Sequence, residues 1–348
     1  MDIIPVGAIA ALIGLATGIV LGLAARLGNF CTLGAIESAI YGDDQRRLRM
    51  WGIVLGTAIF TTHLLAADGK ADLGATVYHS VAWNPLASIL GGALFGYGMA
   101  LAGNCGFGAL ARFGGGDLRS LVVVVVMAIF GFVALNGPLA KLRVMLFPQV
   151  AAENPQSYGD FVSNQLGLPP LLFATLVAAA LVVWALSHQP LREAPRQIAW
   201  GVAAGLAISF ALWGTSALHD ATFGEIPVEG HTFTAALGRS LIWLMTSSSG
   251  GLSFSVGSVA GVLAGAFMGS SIRGLFRWEA CEDPRELGRQ VGGAALMGIG
   301  GAIAMGCSVG QGVTAFATLA YSAPVTLAAI YLGAVFGLRR LIEGLQPD

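Results

Sequence analysis

Charge is scarce in this sequence: only 11% of its 348 residues are Asp, Glu, Lys or Arg. Soluble domains carry about 25%, so the chain has too little charge to cover a water-exposed surface. The formal net charge of −1 also excludes a globally basic nucleic-acid-binding protein. Apolar residues make up 55% of the chain, and the mean hydropathy is +0.75. These values predict an integral membrane protein that contacts lipid and binds no nucleic acid.

Cysteine is also rare, and its four copies are not arranged as pairs or clusters. No C-x-x-C pair occurs, and no Cys/His group has the spacing of a zinc site. The sequence has no nucleotide-binding motif, so we do not expect direct use of ATP. The pattern predicts no metal, no cofactor and no enzyme activity.

Long apolar runs are what the sequence has in abundance. They predict about nine spans, near 4–25, 51–67, 86–102, 120–137, 169–187, 198–213, 252–270, 290–305 and 314–337. Two further stretches, "GNFCTLGAIESAI" (28–40) and "FTAALGRSLIWLM" (233–245), are too short to cross a bilayer and favour re-entrant helices. The first run has no basic segment before it, which favours a retained helix over a cleaved signal. The expected fold class is an all-α integral membrane protein with short re-entrant helices.

Basic residues are concentrated on alternate loops. Most of the 18 Lys and Arg residues lie in five clusters: 46–49, 112–119, 192–196, 273–289 and 339–340. The loops between these clusters are mainly acidic. The positive-inside rule then predicts that the Arg-rich loops are cytoplasmic, with the N-terminus outside and the C-terminus inside. The expected location is the bacterial inner membrane, with a periplasmic N-terminus and a cytoplasmic C-terminus.

Two cysteines lie in similar glycine-rich strings, "GGALFGYGMALAGNC" and "GGAALMGIGGAIAMGC". In both, G-x-G is followed by six residues and then cysteine, Cys105 in the first string and Cys307 in the second. This repeat predicts two related membrane halves, 1–140 and 190–348, joined by an extracytoplasmic connector and linking span, 141–189. By the predicted topology the related spans run in opposite directions, which favours an inverted repeat with a path at its interface. A miscount by one span would make the repeat parallel.

The glycine-rich breaks give the cysteines a chemical meaning. A helix that begins inside the bilayer presents free N–H groups, and its N-terminus attracts an anion. A thiol at that position is a small, weak donor. A buried cysteine can also serve merely as a small apolar residue. Cys105 and Cys307 at matched positions, with Cys31 in the similar string "GNFCTLGA", favour a path lined by thiols.

Polar residues near these breaks are the remaining site candidates. Arg26 and Arg239 are either snorkelling arginines or cations that attract an anion to the path. The other candidates either bond the broken backbone or line a polar path: Asn29, Asn104, Ser308 and Gln311. Cys281 lies in the charged string "RWEACEDPREL" and has no assigned role.

Three strings together resemble the YeeE/YedE family of sulfur-related membrane transporters: "ARLGNFCTLGA", "GYGMALAGNCGFGALAR" and "GIGGAIAMGCSVGQGVTAF". Characterised members of that family import thiosulfate. The resemblance implies a pseudo-symmetric helical fold with short helices dipping in from both sides. It also implies three cysteines along the route of the ion, here Cys31, Cys105 and Cys307. A cytosolic TusA-like or rhodanese-like sulfur-carrier protein is the partner that the resemblance implies.

The leading hypothesis is import of thiosulfate or a related small sulfur-containing anion past these thiols. A membrane thiol oxidoreductase is the first alternative, although it would commonly use a C-x-x-C pair. Transport of a soft metal such as Cu(I) is the second, because Met99 and Met305 lie near Cys105 and Cys307.

Overall fold

The computed structural model describes residues 5–248, 250–280 and 283–343. Up to residue 146 the chain forms α1 (Val6–Leu27), α2 (Thr32–Tyr41), α3 (Arg46–Ala67), α4 (Val77–Ser80), α5 (Pro85–Ala102), α6 (Gly106–Gly114), α7 (Leu118–Leu135) and α8 (Ala140–Leu146). The connector adds α9 (Tyr158–Leu166) and α10 (Pro170–Leu186). The remainder forms α11 (Gln189–Arg192), α12 (Pro195–Ala221), α13 (Ala235–Thr246), α14 (Phe254–Ile272), α15 (Pro284–Ile303), a π-helical segment (Gly310–Ala315) and α16 (Ser322–Glu343). In these ranges β-pairing is limited to isolated bridges.

Seven helical segments in the described part are long and apolar enough to cross a membrane. They are Val6–Tyr41, Arg46–Ala67, Pro85–Gly114, Leu118–Leu135, Pro195–Ala221, Phe254–Ile272 and Ser322–Glu343. The protein is therefore an all-helical, multi-pass membrane protein.

The other two predicted spans correspond to helices with different properties. In place of 169–187 stands α10, which has 17 residues and is about 26 Å long, shorter than the roughly 30 Å of a hydrocarbon core. In place of 290–305 stands α15, whose first turns carry Arg285, Glu286 and Arg289. The count of about nine membrane-spanning helices thus stays a prediction.

Proline and capping residues determine where several helices begin. Proline occupies the first turn of α5, α10, α12 and α15, where its missing N–H has no helical partner to lose. At the start of α5 the Asn84 side chain accepts the N–H of Ala87 at 3.1 Å. That helix ends at Gly103, whose φ of 73° is in the left-handed region that favours glycine.

Glycine faces bring the long helices into backbone contact. Along α1, a Cβ added at Gly18 would lie 2.6 Å from the Ser258 carbonyl oxygen of α14, so that pair packs without intervening side chains. Helices α1 and α14 run parallel, whereas α5 and α15 run antiparallel: Gly91 faces Gly300, and Gly98 faces Gly293. The most extensive contacts between helices are those of α1 with α14, α5 with α15 and α16, α7 with α15, and α3 with α10 and α12.

Short helices interrupt this framework where the sequence predicted them. Helix α2 lies in the predicted stretch 28–40 and ends one residue after it. Helix α13 begins two residues after the start of the predicted stretch 233–245 and ends one residue after it. Both are short helices, as predicted, and their re-entrance stays a prediction. Helix α6 and the π-helical segment are two more short elements. Cys31 and Cys105 immediately precede short helices, and Cys307 lies three residues before the π-helical segment.

Candidate functional site

Cys31 is the residue that starts α2. The chain leaves α1 through Gly28 and turns at Asn29, whose φ of 59° is left-handed and rare for a residue with a side chain. The backbone at Cys31 is extended (φ −155°, ψ 133°), and α2 begins at the next residue. The thiol therefore lies at the positive end of a helix of ten residues.

Cys105 starts α6 in the same way. Its Sγ accepts the N–H of Gly108 at 3.3 Å, which is the bond a capping side chain makes. The Cys31 and Cys105 side chains lie next to each other, and the Ser308 side chain is also close to Cys105. A Cβ added at Gly108 would lie 3.4 Å from the Cys31 sulfur and 3.5 Å from the Cys105 sulfur. The fold thus brings together two thiols that are 74 positions apart in sequence.

Cys307 is bonded to backbone from two elements. Its Sγ accepts the N–H of Phe233 at 3.2 Å and the N–H of Gly310 at 3.3 Å. The Thr232 hydroxyl lies 4.0 Å from the same sulfur. Ser308, the next residue, accepts a hydrogen bond from the Thr32 hydroxyl at 2.9 Å, which connects the Cys307 region to the start of α2.

Buried aromatic rings surround the three thiols. Phe107 lies 5.8 Å from Phe30 and 5.3 Å from Phe233, measured between ring centroids, and Phe30 lies 5.1 Å from Trp51. Each Phe lies within two residues of a cysteine or donates its N–H to one. The sequence predictions missed these rings, although "NFC" and "CGF" already place aromatics beside Cys31 and Cys105.

A cavity of about 240 Å³ lies next to Cys307. Its lining includes Thr232 and Gly306, both neighbours of that thiol in space or sequence. Thr234 also lines it, and its buried hydroxyl has no hydrogen-bond partner within the described ranges. Two charged side chains, Glu229 and Arg239, also line the cavity.

Arg239 is paired in this cavity. Its Nη1 lies 2.6 Å from Glu229 Oε1 and donates to the Ser255 hydroxyl at 3.2 Å. Ser255 in turn donates to Glu229 Oε2 at 3.2 Å. The sequence singled out Arg239 and missed its carboxylate partner.

Arg26 lies apart from Arg239. It sits in the last turn of α1, is half-buried, and donates from Nε to the Ser270 hydroxyl of α14 at 2.6 Å. One of its Nη atoms lies close to the backbone of Gly115, after α6. The structure therefore does not bring the two candidate arginines into one site.

Asn104 and Gln311 make hydrogen bonds near Cys105 and Cys307, where the long helices α5 and α15 have ended. Asn104 donates to the Ser120 hydroxyl at 3.5 Å, while its buried Oδ1 has no partner in the part of the chain that is described. Gln311 donates to the Ala304 carbonyl at 2.8 Å and accepts from Ser322 at 3.0 Å. Cys281 lies outside the described residues.

Comparison with known proteins supplies the classification. The family described as "Sulphur transport" matches residues 27–336. The chain is 25% identical over 319 residues to the thiosulfate transporter TsuA of Spirochaeta thermophila, covering 89% of this chain and 92% of that protein. It is 25% identical over 339 residues to the thiosulfate transporter TsuA of Escherichia coli, covering 92% and 91%. All three thiols and both arginines discussed above fall inside the matched range or, for Arg26, directly before it. The chain belongs to the Sulphur transport family.

Proposed function

We propose that this protein imports thiosulfate, or a related small sulfur-containing anion, through the bacterial inner membrane past Cys31, Cys105 and Cys307. The observation that carries the proposal is the placement of these thiols at the starts of short helices in the interior. Both the TsuA relatives and the family description support the substrate class. The protein acts as a transporter and not as an enzyme.

Helix starts explain how an anion could be stabilised there without a buried cation. The N–H groups of Gly108, Phe233 and Gly310 point at the Cys105 and Cys307 sulfurs. Because these sulfurs accept hydrogen bonds from the backbone, their own S–H groups are available to an arriving anion. Such contacts are weak, and passage through several sites requires binding that is weak enough to allow release.

The packing supports the proposal that the two halves form an inverted repeat, 1–140 and 190–348. Let α1, α3, α5 and α7 of the first half correspond to α12, α14, α15 and α16 of the second. The contact of α1 with α14 then has the contact of α12 with α3 as its counterpart, and α5 with α16 has α15 with α7. All four contacts are present in the structure. The matched helices α1 and α12 run antiparallel, because Ile13 lies against Gly214 and Gly28 lies against Trp200. The matched helices α5 and α15 also run antiparallel, as described above. A path at the interface of the halves follows from this arrangement.

The test is uptake of labelled thiosulfate by cells that lack other sulfur importers. Replacement of Cys31, Cys105 or Cys307 by Ala, at matched expression, should abolish uptake. Cys281→Ala is the control, because Cys281 lies outside the three matched strings, and it should transport as the wild type does. Undiminished uptake by Cys105→Ala would contradict the mechanism, and an inactive wild type would contradict the substrate.

Direction and topology need their own measurement. We place the Arg-rich loops in the cytoplasm, with the N-terminus periplasmic and the C-terminus cytoplasmic. An impermeant maleimide should therefore label Asp220→Cys in intact cells and should label Asp43→Cys only after the membrane is opened. The reverse pattern would place the Arg-rich loops outside.

The contact between Cys31 and Cys105 makes the oxidoreductase alternative testable. A transporter needs both thiols reduced, so an oxidant that forms a Cys31–Cys105 disulfide should block uptake, and a reductant should restore it. An active form that contains this disulfide would favour the oxidoreductase. For the Cu(I) alternative, no group of three or more His, Cys, Asp or Glu with metal-binding geometry occurs in the ranges described. The family membership favours neither alternative.

A cytosolic sulfur-carrier protein, TusA-like or rhodanese-like, is the partner we propose at the cytoplasmic face. Co-purification of such a protein with the wild-type transporter from its native membrane would support this pairing.

A further inference from the structure

Glu229 and Arg239 are the two charged side chains that line the cavity beside Cys307. Their ion pair is short, 2.6 Å between Nη1 and Oε1, and Ser255 bonds both partners. The net charge of the cavity wall in the described structure is therefore zero. An importer of anions that neutralises the cation in its own cavity calls for an explanation.

The backbone of Glu229 is anchored independently of its side chain. The Thr215 hydroxyl of α12 lies 2.8 Å from the Glu229 carbonyl oxygen and 3.2 Å from its amide nitrogen. Two residues later, His231 is fixed between the Thr17 and Ser258 hydroxyls at 2.9 and 2.7 Å. Rotation of the carboxylate away from Arg239 thus requires no movement of the backbone from Glu229 to Phe233, whose N–H bonds Cys307.

We propose that Glu229 is a built-in competing anion that keeps monovalent anions out of the cavity and keeps substrate binding weak. This inference rests on the proposed function, because it assigns the selectivity of the same pathway. An arriving anion must take the place of the Glu229 carboxylate at Arg239. Glu229 is accordingly a specificity-determining residue for transport of divalent sulfur oxyanions.

The charge balance explains the selection. When a monovalent anion displaces the carboxylate, its attraction to Arg239 only replaces the attraction that Glu229 had to Arg239. The displaced Glu229 carboxylate still repels the anion. A divalent anion gains twice that attraction. It binds when the repulsion per unit charge from Glu229 is less than half the attraction to Arg239. Abundant chloride is therefore excluded from the cavity, and a divalent anion binds loosely enough to continue to Cys307.

Uptake by proteoliposomes, measured in chloride buffer and in gluconate buffer, tests this inference. Glu229→Gln should lower KM for thiosulfate about tenfold in gluconate, because one unit of repulsion near the anion is removed. The same variant should become sensitive to chloride, which should raise its KM while leaving that of the wild type unchanged. Arg239→Gln should raise KM, and the double variant should lose the chloride sensitivity.

Glu225→Gln is the matched control, since Glu225 is an exposed carboxylate of the same loop and does not line the cavity. It should keep the wild-type KM and chloride response. Thermal unfolding in detergent shows whether Glu229→Gln is folded, which its Thr215 bonds favour.

Two results would overturn the inference while the proposed function stands. In the first, the wild type transports thiosulfate and Glu229→Gln has an unchanged KM in both buffers, so the pair has no role in selection. In the second, KM rises in Glu229→Gln and is restored in Glu229→Asp, so Glu229 merely orients Arg239. A wild type that transports no thiosulfate would overturn the proposed function and this inference together.

Discussion

At the scale of the residue, Gly108 lies directly beside two of the thiols. It donates its N–H to Cys105, and the two sulfurs of Cys31 and Cys105 flank the side where a Cβ would be. At 3.4 and 3.5 Å, an added methyl group would make ordinary van der Waals contact with both sulfurs and would not clash. In the proposed path, it would instead fill the space through which the anion touches both thiols.

Gly108→Ala should therefore reduce thiosulfate uptake strongly while leaving the protein folded. Alanine also favours a helix by about 0.5–1 kcal/mol relative to glycine, so the midpoint of thermal unfolding should stay the same or rise. Gly288→Ala is the control, because nothing lies within 4 Å of its added Cβ. Equal uptake by the two variants would show that the space beside Gly108 is not part of the path.

His79 gives a second prediction at this scale, which concerns pH. It lies in α4, outside the candidate membrane-spanning segments, and bonds the Thr318 carbonyl at 3.1 Å. Burial, partly offset by this bond, lowers its pKa from 6.5 to about 4. The unfolded chain therefore binds a proton between these values when the folded protein does not, and stability is lost as pH falls from about 6.5 towards 4. The loss from this residue is at most about 3 kcal/mol.

Thermal unfolding of the wild type and of His79→Gln, measured from pH 7 to pH 4, checks the sign. Glutamine keeps an N–H donor for Thr318 and does not titrate, so the variant should lose less stability on acidification. Parallel curves for the two proteins would exclude His79 as a contributor.

Sequence reasoning found the thiols but not their grouping. Cys31, Cys105 and Cys307 stand out because glycine-rich breaks precede or follow them. The contact of Cys31 with Cys105 depends on where α2 and α6 pack, and no local pattern carries that information. Glu229 was missed because "VEGHTF" reads as an ordinary acidic outer loop, and only the structure shows that Arg239, ten residues later, pairs with it in the cavity wall.

At the scale of the element, α1 shows how composition determines packing. Gly14, Gly18 and Gly22 recur every four residues and form one face of the helix, and that face lies against the backbone of α14. The closeness leaves no room for a side chain at the centre of the contact.

Gly18→Ala should destabilise the protein by about 1–3 kcal/mol, because its Cβ would lie 2.6 Å from a backbone oxygen, which cannot move aside as a side chain could. Gly292→Ala, which has nothing within 4 Å of its added Cβ, is the matched control and should not lose stability. Urea or thermal unfolding in detergent measures both. A Gly18 variant as stable as the wild type would mean that α1 and α14 can separate at little cost.

Helix existence was predictable, whereas several boundaries were not. Seven predicted spans correspond to long apolar helices, because an apolar run of sufficient length can satisfy its backbone in lipid only as a helix. The last predicted span, 314–337, begins too early: a π-helical segment ends at Ala315, and α16 starts only at Ser322. The sequence "GVTAFATLAYSAP" is apolar throughout, so hydropathy alone does not separate the two elements.

At the scale of the whole molecule, glycines bring the two proposed halves into close contact. Between α5 and α15, Gly91 faces Gly300 and Gly98 faces Gly293, so that backbone faces backbone. Outside the membrane spans, isolated bridges join loops from distant parts of the chain, Thr76 to Val228 and Ser157 to Ala320 among them. The matched G-x-G and Cys strings predict the repeat from the sequence, whereas the antiparallel packing of α5 on α15 required the structure.

Contacts in which one helix backbone packs directly on another have a mechanical consequence, because two backbones this close cannot slide past each other. The halves should therefore stay rigid during turnover, and the ion should pass by small movements of the short helices alone. Spin labels on the lipid-facing positions Phe60 of α3 and Phe267 of α14 would measure this. The distance between them should be the same with and without thiosulfate. A shift of several ångströms would show that the two halves move relative to each other during transport, despite the close glycine contacts between them.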